Sequence, residues 1–96
     1  MADAADIEVW LEWSKSRPVI IVPHARSTAP AERDYRIELS RNISRMVQRG
    51  RVRLEPGVAT PLSRMSVSRA ADDICTVEVR LESRDLETLV RVFDCP

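Results

Sequence analysis

The chain has little of several residue types on which common protein activities depend. Its 96 residues include two glycines, two cysteines, one histidine, two tryptophans, one tyrosine and one phenylalanine. Because Gly50 and Gly57 are isolated, the glycine-rich loops that hold nucleotide phosphates are excluded. The longest apolar run, residues 19–22, lies between two prolines. It is far shorter than the roughly 20 residues that a membrane-spanning helix needs.

Residues that could support catalysis or metal binding are also scarce. His24 is the only histidine, and it has neither a flanking acid nor a nucleophile motif, so a serine–histidine–aspartate site is not expected. The two cysteines form no zinc-binding spacing. Asp72 and Asp73 have the character of solvated turn residues. The sequence therefore predicts a protein that is not an enzyme, with no metal and no cofactor.

What the chain does contain is a balanced but segregated set of charges. It is 44% hydrophobic and 31% charged, which favours one folded domain, and its 15 basic and 15 acidic residues cancel. The balance is uneven along the chain, with net charges of −2 over residues 1–25, +6 over residues 26–69 and −4 over residues 70–96. All the basic residues except Lys15 are arginines. Either a GC-rich genome, which favours arginine codons, or a functional requirement for arginine explains this preference.

Apolar and polar residues alternate with a period of two through most of the chain, which is typical of strands with one buried face. Turn signals divide these runs into seven predicted strands, at 7–14, 19–26, 34–41, 45–54, 61–69, 74–82 and 88–94. This pattern predicts an all-β, seven-stranded antiparallel immunoglobulin-like β-sandwich over residues 7–96, with a small closed barrel as its rival. Residues 1–6 are expected to be a flexible N-terminal tail. Short helices at 40–49 and 84–90 are weaker alternatives.

Local signals predict several details of this sandwich. Glu55-Pro56-Gly57 is typical of a type II turn, and Gly50 inside a strand indicates a bulge or kink. On the first strand, Trp13 is expected in the core and Trp10 half-exposed.

Cys75 and Cys95 are equidistant from residue 85, where a hairpin between the last two strands would turn. Opposed cysteines in a non-hydrogen-bonded pair come close enough to form a disulfide. The register that opposes the two cysteines also puts Arg91 on the same face as Val79. A bulge near Phe93 would remove this conflict. The sequence therefore leaves two alternatives, a disulfide and two free buried thiols. A disulfide would place the protein in the periplasm or outside the cell. Residues 1–6 have no signal-peptide character, so we expect a mature or a cytoplasmic start.

With catalytic, metal and nucleotide sites not expected, the feature that indicates a function is the basic middle of the chain. Four arginines share one parity across residues 45–53, and two more project from polar faces of neighbouring segments. Such a strip of positive charge either blocks unwanted edge pairing or attracts an acidic partner. Nucleic acid is a weaker candidate for that partner, because the aromatic residues on which bases stack are scarce. The residues predicted to bind such an acidic partner, called client-binding residues below, are Arg36, Arg45, Arg49, Arg51, Arg53 and Arg64.

The order of segments resembles that of the CsgC-like curli-assembly proteins, particularly the CsgH branch. The segments are Tyr35-Arg36-Ile37-Glu38-Leu39, Gln48-Arg49-Gly50-Arg51-Val52, Pro61-Leu62-Ser63 and Cys75-Thr76-Val77-Glu78-Val79. The resemblance implies a periplasmic, monomeric immunoglobulin-like domain that keeps an unfolded curli subunit from forming amyloid before export. Its contacts would be transient and electrostatic, with no nucleic acid and no membrane insertion. The Cys-x-Cys pair of the CsgC branch is missing here, so a redox role does not carry over. The alternative is a structural or adhesion accessory module that binds another secreted protein.

Overall fold

The computed structural model describes residues 6–68, 72–85 and 87–96, and these contain eight β-strands. The predicted tail lies outside the described residues except for Asp6, whose carbonyl oxygen accepts a hydrogen bond from the Thr28 amide. No helix in the described ranges is long and apolar enough to cross a lipid bilayer. The strands are β1 (Ile7–Ser14), β2 (Val19–Ser27), β3 (Ala31–Arg41), β4 (Ser44–Leu54), β5 (Thr60–Pro61), β6 (Met65–Val67), β7 (Cys75–Glu82) and β8 (Thr88–Asp94).

The strands form two antiparallel sheets that pack face to face, which confirms the predicted all-β sandwich. In the first sheet β2 pairs with β1 on one side and with β5 and β6 on the other. In the second sheet the order is β4-β3-β7-β8, so that β4 and β8 are its two edges. The weaker helical alternative at 40–49 is wrong, because these residues belong to the β3–β4 hairpin, in which Arg41 pairs with Ser44.

The predicted strand at 61–69 is two short strands, and its last residue lies outside the described ranges. On β2, His24 pairs with Pro61 and Ile21 pairs with Met65, so two β2 residues oppose three residues of the partner. One extra residue therefore separates β5 from β6, as in a β-bulge. The shift allows Leu62 and Met65, which have opposite parity in sequence, both to be buried.

The core lies between the inner faces of the two sheets. Among the residues that fill it are Ile37, Val77 and Val79, buried positions that the alternation predicted, and Ile21 from the apolar run at 19–22, each 0% or 1% exposed. Trp13 is a correction to the sequence prediction. It has the parity of the inner face but lies at the end of β1, where 53% of it is exposed.

Cys75 and Cys95 form a disulfide in the structure, with their Cα atoms 5.3 Å apart. The Cys95 amide donates to the Cys75 carbonyl at 3.1 Å. The two cysteines are therefore a hydrogen-bonded pair of the antiparallel ladder and not the non-hydrogen-bonded pair that was expected. The β7–β8 register runs without a bulge, with Val79 opposite Arg91. As a result, Arg91 occupies an inner-face position at an edge.

Two of the turn predictions have different outcomes. The Val58 amide donates to the Glu55 carbonyl at 3.1 Å and Gly57 has a φ of 74°, which fits the predicted type II turn. Gly50 forms no bulge, since β3 and β4 pair without interruption. A Cβ atom at Gly50 would lie 2.5 Å from the Tyr35 hydroxyl oxygen, so the glycine is needed there to make room for that ring.

Candidate functional site

The outer face of β4 carries four of the six arginines that the sequence predicts as client-binding residues. The inner positions of β4, such as Val52 and Leu54, face the core, so the residues between them point to the solvent. Because β4 is an edge of its sheet, these arginines lie along a border of the molecule. We call them the basic edge: Arg45, Arg49, Arg51 and Arg53.

A second line of arginines crosses the strands at a right angle to the basic edge. Arg36 pairs with Arg49 on one side and with Arg80 on the other, so that three arginines lie side by side on β4, β3 and β7. We call these three residues the arginine row. Like charges directly opposite each other destabilise a sheet. Fold stability alone therefore does not account for the row.

The whole outer face of this sheet is neutral, and its charge is divided from one edge to the other. Its positions carry six arginines and six acidic residues. All four arginines of the basic edge are on β4, which has no acid on this face, whereas the acids are on β3, β7 and β8. The predicted basic strip is thus an edge and not a broad face. The six acids are Glu32, Asp34, Glu38, Glu78, Glu82 and Asp94.

Most of these arginines have an acidic partner. Arg51 Nε lies 3.0 Å from Asp34 Oδ1, and Arg45 Nη1 lies 3.2 Å from Glu38 Oε1. Arg53 contacts Glu55, Arg36 contacts Glu38, and Arg80 contacts Glu78 at 3.8 Å.

Arg49 is the exception. Within residues 6–68, 72–85 and 87–96, its side chain has no ion pair and no hydrogen bond. It is also the residue at which the basic edge and the arginine row cross. An anion at this point would therefore meet a cation that no carboxylate of the described chain neutralises.

A depression of 350 Å³ lies at this crossing, lined by the three residues of the arginine row together with Asp34, Tyr35, Gly50 and Glu82. The Nε atom of Arg80 is buried and has no hydrogen-bond acceptor among the described residues. A buried donor without an acceptor costs free energy. The site thus offers the unneutralised guanidinium of Arg49 to a carboxylate or amide oxygen.

Arg51 is held by an ion pair with its neighbour on β3, Asp34. The hydrogen bond that Arg51 donates to Asp34 raises the pKa of Arg51 above its ordinary value, and Coulomb attraction to the same carboxylate adds to the effect. Arginine is protonated at physiological pH without this contact, so Asp34 holds the guanidinium in place and does not decide its charge.

The structure brings five of the six predicted residues together and separates the sixth. Arg36 is one strand in from the basic edge, whereas Arg64 lies between β5 and β6 on the other sheet. Sequence reasoning missed Arg80. Its outward direction was visible in the alternation of residues 75–81, but its place beside Arg36 depends on the pairing of β3 with β7.

The outer face of the other sheet, on β1 and β2, carries an aromatic cluster whose polar groups bond to one another. Trp10 stacks on His24 with ring centroids 5.6 Å apart, and the Arg26 guanidinium lies 5.5 Å from the Trp10 centroid. Glu12 accepts a hydrogen bond from Trp10 Nε1 at 3.0 Å, and Glu8 pairs with Arg26 at 2.7 Å. Each polar group of this cluster has a partner within it. In the described part of the chain, no three His, Cys, Asp or Glu side chains converge as metal ligands.

The sequence matches no protein-family model and no curated protein. Solved structures do match. The curli protein CsgC of E. coli superposes with a TM-score of 0.79 at 15% identity, over 91% of this chain and 97% of that one. CsgH of R. palustris superposes with a TM-score of 0.72 at 11% identity, over 92% of this chain and 91% of that one. At these identities the likeness shows that the chain has the fold of both proteins.

Proposed function

We propose that this protein is a curli-assembly accessory protein of the CsgC-like family. It keeps a secreted curli subunit from forming amyloid before export, and it acts in the periplasm as a monomer. The observation that carries the proposal is the basic edge, with the unneutralised Arg49 at its centre, on the fold of CsgC and CsgH.

The physical basis is a weak contact with an unfolded chain. A curli subunit before assembly is an extended polypeptide that stacks into cross-β structure when its segments meet. A border of fixed positive charge speeds its encounter with acidic segments, and the low affinity lets the subunit leave for export. The contact uses binding energy alone and needs no nucleotide.

The disulfide supports the periplasmic location. Such bonds persist in oxidising compartments and are rare in the cytosol. The Cys75–Cys95 bond joins the two strands at the far side of the sheet from the basic edge, so it holds the scaffold without contacting the binding residues.

A thioflavin T time course of a purified curli subunit tests the proposal. We expect the protein to lengthen the lag phase when present at less than one molar equivalent, and added salt to shorten that lag again, because salt screens exposed charges. An unchanged lag at every salt concentration would overturn the proposal.

The Arg49→Glu variant tests the site itself, and Arg64→Glu is its matched control. Both substitutions reverse one exposed arginine, but only Arg49 belongs to the basic edge. We expect Arg49→Glu to lose most of the delay and Arg64→Glu to keep it, with both variants folded by circular dichroism. Equal delays from the two variants would contradict the electrostatic site.

A second candidate function is a structural or adhesion accessory module with a stable secreted partner. The observation that favours it is a pair of exposed valines on the outer face of β8, Val90 at 36% and Val92 at 64%. Size-exclusion chromatography with secreted proteins, the curli subunit among them, separates the two functions, since a stable module co-elutes with its partner and a transient inhibitor co-elutes with none.

A further inference from the structure

We propose that β4 binds its partner by edge pairing, as the template for an added antiparallel strand whose acidic side chains lie at alternate positions. This inference rests on the proposed function, because it assigns the way in which the basic edge contacts an unfolded chain. It adds backbone hydrogen bonds to the charge attraction and specifies the spacing of the acids.

The register of the β3–β4 hairpin decides which backbone groups of β4 are free. Arg41 pairs with Ser44 across a loop of two residues, Asn42 and Ile43. A two-residue loop is closed by a pair of residues that exchange hydrogen bonds, so Arg41 and Ser44 form a hydrogen-bonded pair. The other kind of antiparallel pair, called wide here, has no hydrogen bond between its two residues. Hydrogen-bonded and wide pairs alternate from there, so the even-numbered residues of β4 bond to β3.

The odd-numbered residues of β4 therefore direct their amide and carbonyl groups away from β3. These are the four arginines of the basic edge and Val47. No strand pairs with this side of β4 in the described residues. The free backbone groups and the positive side chains thus belong to the same residues.

This coincidence fixes the pattern of the strand that fits. A residue directly opposite an arginine in an antiparallel pair has its side chain on the same face, at close range. Read from its N-terminus, an added strand meets Arg53, Arg51, Arg49, Val47 and Arg45 at every second residue. The complementary sequence is acid-x-acid-x-acid-x-apolar-x-acid, and its third acid lies beside Arg49, the arginine that lacks an acidic neighbour.

The other edge of the sheet is built against such pairing. On β8, Arg91 occupies the inner-face position opposite Val79, where it is exposed and donates to the Val90 carbonyl at 2.9 Å. A charge at such a position of an edge opposes an incoming apolar strand. At β1, one edge of the other sheet, the outer charges Glu8 and Glu12 are already engaged by Arg26, Trp10 and His24. The basic edge is the border that combines length, one sign of charge and an unneutralised residue.

The test uses a capped nine-residue peptide, Glu-Thr-Glu-Thr-Glu-Thr-Val-Thr-Glu, titrated into the ¹⁵N-labelled protein. We expect the amide hydrogens of Val47, Arg49 and Arg51 to gain protection from exchange on binding, because they donate to the peptide. The amides of Gln48 and Gly50 bond to β3 already and should change little. A peptide of the same composition with its acids in one block should bind at least about fivefold more weakly, since only alternate acids face the arginines.

Backbone methylation of the peptide separates pairing from simple charge attraction. N-methylation of the third acid removes the donor that faces Arg49, and we expect at least about a tenfold loss of affinity. N-methylation of the next threonine, whose N–H points away from β4, should leave the affinity within about twofold. Equal affinity of the two methylated peptides would overturn edge pairing, because the peptide would then bind through side chains alone.

The curli time course keeps this inference distinct from the proposed function. If the methylated peptides bind alike while Arg49→Glu abolishes the delay of amyloid formation, edge pairing is wrong and the proposed function stands. If the peptide pairs with β4 while the protein does not alter the lag, β4 is a pairing edge and the curli assignment is wrong.

Discussion

β4 and β8 are the two edges of one sheet, and they differ in where their charge lies. β4 places four arginines on the outer face and none on the inner one, so its open border attracts anions. β8 has two valines and a single acid, Asp94, on the outer face, and Arg91 on the inner one. The position of a charge relative to the core thus distinguishes a border that invites a strand from one that repels it.

The two edges also differ in how they are held. β4 pairs with β3 over 11 residues, and a loop of only two residues joins the two strands. β8 is shorter, at seven residues, and is joined to β7 by the disulfide. Stability therefore depends on a covalent bond at the β8 side, whereas the β4 side holds through pairing and leaves its outer groups free to bind.

Removal of the disulfide should have the largest effect on the fold and the smallest on the site. The bond closes a loop with a sequence separation of 20 residues. The double variant Cys75→Ser/Cys95→Ser should lose about 3 kcal/mol of unfolding free energy. Urea denaturation measures the loss, and the folded fraction should still delay curli amyloid. A folded variant without that delay would show that the two edges are not independent.

On the β4 side, Gly50→Ala should have the next largest effect. The added Cβ would meet the Tyr35 hydroxyl and ring at 2.5–2.9 Å and displace them, at a cost of about 1–3 kcal/mol. In a Tyr35→Ala background the same substitution should cost much less, which a double-mutant cycle of urea midpoints would measure. Equal costs in both backgrounds would contradict the close contact.

Arg91→Val should convert β8 into a second open edge. Without the inward charge, an incoming strand meets an apolar border, so we expect weak self-association at high protein concentration by sedimentation velocity. Arg64→Val, which removes an arginine from the β5–β6 connection, is the matched control and should stay monomeric. An Arg91→Val variant that remains monomeric at millimolar concentration would show that Arg91 does not protect β8.

The smallest expected effect concerns the charge balance along β4. Asp34→Asn removes the carboxylate that raises the pKa of Arg51, and it leaves Arg51 charged and free to bind an acidic peptide. Affinity should rise about twofold at low salt. Asp94→Asn makes the same change on β8 and should leave the affinity unaltered. An equal rise in both variants would indicate that only the net charge matters.

The sequence predicted the sandwich because period-two alternation reports directly which side chains face the core. It also predicted the shared parity of the basic-edge arginines and the type II turn at Gly57, since these depend on residues close together in the chain. It misplaced Trp13 and Arg64, because whether an inner-face position is covered, and which sheet a segment joins, depends on the opposite sheet.

Local sequence therefore determined the direction of each side chain, and the tertiary structure decided which side chains are neighbours. The pairing of Arg36 with both Arg49 and Arg80, and the position of β4 at the edge, follow from strand order. That order is set by contacts between residues distant in sequence. For the same reason the sequence could locate positive charge in the middle of the chain, but only the fold shows that four of those charges lie along one border.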